Sequence, residues 1–251
     1  MDGSIRRDDT TVMLFPTCLV DAVEPGVGLA ASRVLERVGH PVVVPDGATC
    51  CGQPAWNAGQ TEAAAKVART TLSALAGSTG PIVVPSGSCT TMIRVFWPEL
   101  FEIEGSAAER ALVADVAART EELSEFLADR YPDGTPDDPT PTVYHRSCHM
   151  LRELGIEEQP EDLLETTSSD VRVSSERGRC CGFGGLFSVK LPEVSTAMAD
   201  EVLDAVVDVG AERVVGCDVS CLMHLEGRSR RRGLGLEFVH LVELLDEDQR
   251  P

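Results

Sequence analysis

The sequence RCCGFGG at residues 179–185 repeats a motif that also occurs as TCCGQ at residues 49–53: two adjacent cysteines followed by glycine. The cysteines around the two motifs are spaced alike, by 32, 1 and 38 residues in one case and by 32, 1 and 40 in the other. They form a first cysteine set of Cys18, Cys50, Cys51 and Cys89, and a second cysteine set of Cys148, Cys180, Cys181 and Cys221. The matching spacings indicate an internal duplication and predict two halves of similar fold.

Valine-rich segments and segments with helical periodicity alternate along both halves. The valine-rich segments predict strands at residues 12–15, 42–44, 82–84, 143–145, 171–174, 213–216 and 237–240. Apolar periodicity predicts helices at residues 26–38, 61–76 and 192–209, each ended by a glycine, and a long amphipathic helix over residues 106–130. This alternation is typical of parallel α/β layers. We therefore expect an α/β fold with two duplicated, Rossmann-like halves.

The domain boundaries follow from a proline-rich segment between the halves. Residues 131–141, YPDGTPDDPTP, contain four prolines, one glycine and three aspartates and are typical of a linker. We expect a first cysteine-rich domain at residues 10–130 and a second at residues 142–251. In each domain the cysteines follow predicted strands, and the carboxyl ends of parallel strands are where ligands bind in such sheets.

The chain is strongly acidic, with 41 Asp and Glu against 22 Lys and Arg and a net charge of −19. Such a surface repels nucleic acid and anionic lipid, so neither is expected as a partner. Two hypotheses explain the acidity: adaptation to a salt-accumulating cytoplasm, or an acidic protein from a genome that favours arginine codons. No export signal or apolar span is recognisable. We expect a cytoplasmic protein, without direct membrane insertion, whose nine cysteines are reduced.

Reduced cysteines in this pattern indicate metal or redox chemistry. Structural zinc sites are usually built from C-x-x-C hairpins, and the chain has none. Adjacent cysteines suit a larger iron–sulfur cluster better, because each thiolate can reach a different iron, and small residues let the backbone approach the sulfur. Zinc and a redox-active dithiol remain as alternatives, although a disulfide between sequence neighbours is strained.

Four segments carry a resemblance to a known family: CCGQPAWNAG, PSGSCT, CCGFGGLFSVK and DVSCLMHLEGR. With the spacing C-x31-CCG-x36-C and C-x31-CCG-x38-C, they resemble the cysteine-rich CCG domain. This domain occurs in pairs in heterodisulfide reductase and in the iron–sulfur subunits of glycolate oxidase and anaerobic glycerol-3-phosphate dehydrogenase. The resemblance is greatest to the short members, the lactate utilisation protein A family, and covers residues 12–245.

The resemblance implies an iron–sulfur protein that works with a ferredoxin-like iron–sulfur subunit and a third subunit to oxidise L-lactate to pyruvate. It implies that the first and second cysteine sets each hold one cluster of the four-iron type. The loop glycines assigned to cofactor binding are Gly52, Gly182, Gly184 and Gly185. Heterodisulfide reductase-type copies end in C-x-x-C and can supply a fifth cysteine. Here Met92 and His224 stand at that position, which disfavours the rival function, direct disulfide reduction.

Three weaker signals give further hypotheses. His145 and His149 flank Cys148 and are either loop residues or hydrogen-bond donors beside the second cluster. Cys217 is the ninth cysteine; alignment of the Val-Val pairs puts it opposite Ser86, so we expect a buried turn residue and not a ligand. The basic run EGRSRRRG at residues 226–233 is either the end of a helix or a docking site for an acidic partner or anionic substrate.

Overall fold

The computed structural model describes residues 11–246, so the outer ends of the predicted domains, at residues 10 and 251, lie outside the described range. Within it, eight strands form two parallel sheets. In the first half, strands β1 to β4 are Val12–Leu14, Val42–Val43, Ile82–Val84 and Thr120–Glu122, in the order β2-β1-β3-β4. In the second half, strands β5 to β8 are Thr142–Tyr144, Val171–Arg172, Arg213–Gly216 and Glu237–His240, in the order β6-β5-β7-β8. The equal strand order confirms the predicted α/β fold with two similar halves.

Helices connect the strands in both halves. In the first half they are α1 to α8: Cys18–Ala22, Pro25–Arg37, Gln53–Asn57, Thr61–Leu75, Gly87–Thr91, Trp97–Glu104, Ala107–Ala118 and Leu123–Leu127, with a π-helical turn at Met92–Phe96. In the second half they are α9 to α13: Gln159–Glu165, Leu186–Lys190, Pro192–Asp208, Val219–Arg232 and Leu241–Leu245, with a π-helical turn at Met150–Leu154. Among residues 11–246, no helix combines the length and the apolar character needed to cross a membrane.

The predicted helix over residues 106–130 is wrong in its second part. α7 ends at Ala118, and β4 follows and pairs with β3 as the fourth strand of the first sheet. The duplication contained the signal for this strand. ELSEFL at residues 122–127 corresponds to HLVELL at residues 240–245. In both segments the last residue of a strand is also the N-cap of a short apolar helix and forms a capping box with it.

The two halves share a hydrophobic core, which we call the seam. α2 of the first half packs against α13 of the second, and α8 packs against α9. One cluster of buried side chains contains Leu35 and Phe126 of the first half together with Leu164 and Leu245 of the second. The seam brings the carboxyl ends of both sheets to the same region of the molecule.

Candidate metal centre

The first cysteine set lies at the carboxyl ends of three strands of the first sheet. Cys18 begins α1 after β1, Cys50 and Cys51 lie in the loop after β2, and Cys89 lies in α5 after β3. Parallel pairing of β1 with β2 and β3 aligns these strand ends. Three loops that are distant in sequence therefore deliver four thiols to one place.

The second cysteine set is placed in the same way on the second sheet. Cys148 follows β5, Cys180 and Cys181 follow β6, and Cys221 lies in the first turn of α12 after β7. In both sets the first cysteine and the first of the CCG pair are partly exposed, whereas the remaining two are buried. The duplication predicted from spacing thus extends to the placement of each thiol.

All eight cysteines line one cavity of about 200 Å³ at the seam, which we call the thiol cavity. Leu19, Pro54, Phe183 and Val219 add apolar wall area. The halves approach closely here, since a Cβ added to Gly185 would lie 3.6 Å from the Cβ of Pro54. The two cysteine sets therefore face one another across a shared space.

The buried thiols of each set are close together. Cys51 Sγ lies 3.3 Å from Cys89 Sγ, and Cys181 Sγ lies 2.9 Å from Cys221 Sγ. A disulfide has an S–S distance of about 2.05 Å, so these contacts join free thiols. Each set thus places a close pair of thiols and two further thiols on the wall of one cavity, and thiolates are the ligands that hold an iron–sulfur cluster.

The first cysteine of each CCG motif has a pKa below that of an ordinary thiol. Hydrogen bonds from Cys18 and Cys51 lower the pKa of Cys50 below its ordinary value. In the second set, hydrogen bonds from Cys148 and Cys181 lower the pKa of Cys180 in the same way. Because the thiolate is the form that binds metal, each set contains a thiol prepared for ligation.

The glycine of each CCG motif has a backbone conformation that other residues rarely adopt. The φ angle is 89° at Gly52 and 88° at Gly182, and a Cβ at Gly52 would lie 2.8 Å from the carbonyl oxygen of Ala64. Both N–H groups donate to the cysteine sulfur two residues earlier, at 3.5 and 3.4 Å. Of the four glycines assigned to cofactor binding, Gly184 and Gly185 line the thiol cavity; Gly52 and Gly182 contact cysteine sulfur from behind it.

Histidines lie beside the second cysteine set. A ring nitrogen of His145 and the sulfur atoms of Cys181 and Cys221 lie within 4.8 Å of one another. His145 is buried, its Nε2 has no hydrogen-bond partner, and burial lowers its pKa to about 4. His149 lines the thiol cavity with Nδ1 3.9 Å from Cys148 Sγ. Both histidines are thus neighbours of candidate ligands.

Cys217 lies behind the thiol cavity and does not line it. It is 2% exposed, and it accepts a hydrogen bond from the hydroxyl of Tyr144 at 3.4 Å. The prediction that it is a buried turn residue is confirmed, but the alignment behind it is wrong by one position. Strand pairing makes Val83 equivalent to Val215. Cys217 is therefore the counterpart of Pro85, and Asp218 is the counterpart of Ser86.

Asp218 lines the thiol cavity and was missed by the sequence analysis. It caps the N-terminus of α12 as Ser86 caps that of α5, and each cap precedes the last cysteine of its set by three residues. The signal was present in SGSC and DVSC, since Ser and Asp are preferred N-cap residues. It was hidden by the misplaced alignment.

The basic run at residues 226–233 forms the C-terminal end of α12. Arg228 and Arg232 pair with Asp200, and Arg230 pairs with Glu226. The interpretation as a helix end is confirmed. The alternative role in docking stays a prediction.

Comparison with known proteins defines the class first. The model of the cysteine-rich CCG domain matches two regions, residues 12–94 and 142–226. These regions contain both cysteine sets and most of the two sheets. The chain is thus similar to proteins with paired CCG domains.

Relatives of nearly equal length narrow the class. Lactate utilization protein A of Exiguobacterium sp. is 41% identical over 240 residues, which cover 94% of this chain and 97% of that protein. Lactate utilization protein A of Bacillus cereus is 40% identical over 238 residues, covering 94% and 98%. The chain therefore belongs to the lactate utilization protein A family of CCG-domain proteins.

A solved structure supports the fold across the whole chain. The crystal structure of a hypothetical protein from Helicobacter pylori matches 98% of this chain with a TM-score of 0.70 at 10% sequence identity. This chain spans about half of that protein, 50% of its length. At this identity the likeness shows the fold alone.

Proposed function

We propose that this protein is an iron–sulfur electron-transfer subunit of a cytoplasmic oxidoreductase complex that converts L-lactate to pyruvate. The observation that carries the proposal is the thiol cavity, where both cysteine sets of a duplicated CCG chain face one another. The name of the relatives, lactate utilization protein A, is the basis for proposing lactate as the substrate.

The donor set fits one iron–sulfur cluster in each half. An ordinary four-iron cluster is held by four cysteine thiolates, and each half brings four free thiols to the thiol cavity. Zinc also accepts four thiolates, but the adjacent cysteines favour a larger group with more than one metal atom. When bound, each cluster supplies a carrier for a single electron.

Met92 and His224 stand where heterodisulfide reductase-type copies have a fifth cysteine, and their placement supports four ligands per site. Met92 is fully buried and is not among the residues that line the thiol cavity. His224 is also outside that lining, with Nε2 3.2 Å from Ser195 Oγ. Neither side chain is placed to complete a five-ligand set, which favours electron transfer over direct disulfide reduction.

The remaining parts of the reaction belong to partner subunits in this proposal. Oxidation of L-lactate to pyruvate releases two electrons and two protons. A ferredoxin-like iron–sulfur subunit exchanges electrons with the two sites of this protein, and a third subunit completes the complex. The apolar walls contributed by Leu19, Pro54, Phe183 and Val219 limit the access of water to the thiols.

The test is lactate-dependent reduction of the assembled complex. The three proteins are co-produced and purified without oxygen, and L-lactate is added while the visible absorption and the EPR spectrum are recorded. We expect reduction by L-lactate, and its loss when Cys51→Ser and Cys181→Ser are combined. Cys217→Ala serves as the matched control, because it removes a buried thiol outside the cavity. A colourless zinc protein, or clusters that lactate does not reduce in the intact complex, would contradict the proposal.

A further inference from the structure

Asp218 connects the two cysteine sets through hydrogen bonds to a loop of each half. Its Oδ2 accepts from the N–H of Ser88 at 2.9 Å and from the hydroxyl of Ser86 at 3.2 Å. Its Oδ1 accepts from the N–H and the hydroxyl of Ser220 at 3.1 and 2.5 Å. Ser88 immediately precedes Cys89, and Ser220 immediately precedes Cys221. One carboxylate therefore holds the backbone next to a candidate ligand of each set.

None of the groups that hydrogen-bond to Asp218 carries a positive charge. The carboxyl group belongs to a residue that is 2% exposed. All four donors are neutral, two backbone N–H groups and two hydroxyls. The rings of His145 and His240 lie close enough to interact electrostatically with this carboxyl group. A buried negative charge of this kind acts strongly on neighbouring groups.

The contact between Asp218 and Ser86 joins the two halves through a pair of counterpart residues. Asp218 and Ser86 are counterparts in the duplication, and each caps the helix that carries the last cysteine of its set. The hydrogen bond between them therefore links cap to cap. The N–H of Gly87 also donates to the carbonyl oxygen of Cys217 at 3.3 Å, so backbone joins backbone beside it. The first half has serine where the second has the carboxylate, so a single charge serves both loops.

We propose that Asp218 is the positioning residue that makes the two cluster sites one redox unit. Resting on the proposed function, the inference is that its hydrogen bonds fix the Cys89 and Cys221 loops relative to each other. Its negative charge also disfavours the addition of an electron at both sites, which lowers both reduction potentials. A change at this one residue of the second half must then affect the first half as well.

Two variants separate charge from fold. Asp218→Asn keeps the size and removes the charge. Asp218→Ser reproduces the cap of the first half, so it preserves a helix cap while removing both the charge and the contact with Ser88. The control is Asp246→Asn, which removes a fully buried carboxylate that pairs with Arg33 at the seam and does not line the thiol cavity.

The first measurement is a redox titration followed by EPR on reconstituted protein. For both Asp218 variants we expect each of the two clusters to shift by about tenfold or more toward the reduced form at a fixed applied potential, about 59 mV for a one-electron couple. Iron and sulfide content should remain at the parent value, and Asp246→Asn should leave both potentials unchanged. Potentials unchanged in the Asp218 variants, or a shift confined to the second cluster, would overturn the inference.

The second measurement uses the metal-free protein and does not depend on the proposed function. Amide hydrogen exchange at Ser88 and Ser220 should accelerate about tenfold or more in Asp218→Asn, since this change weakens the acceptor of both N–H groups. Asp218→Ser should accelerate both Ser88 and Ser220, because a serine cap like Ser86 accepts from the N–H of the last cysteine of its set and not from the serine before it. Equal protection of Ser88 in the parent and both variants would overturn the inference. Failure of the parent to bind iron would instead contradict the proposed function.

Discussion

The two halves agree at every candidate ligand and differ in residues at the ends of their strands. His145 in the second half occupies the position of Phe15 in the first, three residues before the first cysteine. Strand pairing likewise makes His240 the counterpart of Glu122, because both pair with the last residue of the neighbouring strand. The duplication has preserved the thiols and allowed their polar surroundings to diverge. Two sites of equal composition are therefore expected to have unequal properties.

The backbone differs between the halves as well. Thr17, which precedes Cys18, has φ 71°, the only positive value at a residue other than glycine within residues 11–246. It is buried and lines the thiol cavity. Its counterpart Ser147 has no such conformation. A conformation of this kind costs roughly 1 kcal/mol or more and is tolerated when surrounding contacts impose it, so the first site is held in a more constrained loop.

The largest expected effect tests the equivalence of the halves. Cys51→Ser should remove the cluster of the first half, and Cys181→Ser that of the second, each with about half of the iron and sulfide lost. The helical circular dichroism should persist, because the hydrophobic seam does not depend on metal. Iron analysis and EPR of each variant check this.

A pair of cysteines within one loop provides the matched control. Cys221→Ala should lose one cluster, whereas Cys217→Ala, four residues earlier and outside the thiol cavity, should keep both. Loss of a cluster in the Cys217 variant would mean that the second site has a different ligand set.

The next effect contrasts the two buried groups at the strand ends. Burial raises the pKa of Glu122 from 4.5 to about 7, so the folded state retains a proton that the unfolded state has lost. The free energy of unfolding contributed by Glu122 thus falls as pH rises through this window. Burial lowers the pKa of His240 from 6.5 to about 4, so its contribution is lost as pH falls below about 6.5. The free energy of unfolding therefore depends on pH in opposite directions through these two residues.

Single variants should reveal these opposed contributions. Relative to the parent, Glu122→Gln should gain about 2 kcal/mol in free energy of unfolding at about pH 8 and little at about pH 5. His240→Asn should gain about 2 kcal/mol at about pH 5 and little at about pH 8. Urea unfolding of the metal-free protein at both pH values measures this. Gains that do not depend on pH would show that the two side chains are not titrating as described.

A smaller effect concerns the packing of the two loops at the seam. Gly87 is the counterpart of Val219, yet a Cβ at Gly87 would lie 2.0 Å from Cγ of buried Met150 in the other half. Gly87→Ala should lower the free energy of unfolding by about 1–3 kcal/mol. Gly227 in α12 has no atom within 4 Å of an added Cβ, so Gly227→Ala should instead raise it by about 0.5–1 kcal/mol. Equal effects of the two substitutions would count against the close contact of the halves.

The smallest expected effect is on the reduction potential of the second site, after a substitution that makes this site resemble the first. His145→Phe removes a neutral ring near Cys181 and Cys221 and restores the residue type of position 15. The unpartnered Nε2 of His145 is available to donate a hydrogen bond to sulfur of a bound cluster, and such bonds raise the reduction potential. In His145→Phe the second potential should therefore fall by roughly 20–60 mV, and the first should stay constant. Separate EPR titration of the two clusters checks this, and equal shifts at both would remove the assigned asymmetry.

Much of this architecture was predictable because the sequence repeats itself. The cysteine spacing predicts the two halves, and valine-rich segments such as residues 82–84 and 213–216 give strands with the bounds observed. The three long helices with glycine ends lie within one residue of their predicted bounds. Strong local signals of periodicity and termination account for these successes.

The rest depends on contacts between segments that are distant in sequence. Residues 120–122 have helical neighbours and become a strand only because β3 offers them a partner. The meeting of both cysteine sets in one cavity depends on the packing of α2 against α13, which no local pattern encodes. Asp218 shows a third case, since its role is defined by donors about 130 positions away.

Resolved EPR of the anaerobically reconstituted protein, combined with iron, sulfide and zinc analysis, tests the central claim most directly. Two four-iron sites that share the thiol cavity predict about eight irons and eight sulfides per chain, negligible zinc, and two reduced signals that broaden each other through magnetic interaction. A single cluster, zinc in place of iron, or two signals with no interaction would contradict the account of two sites facing one cavity.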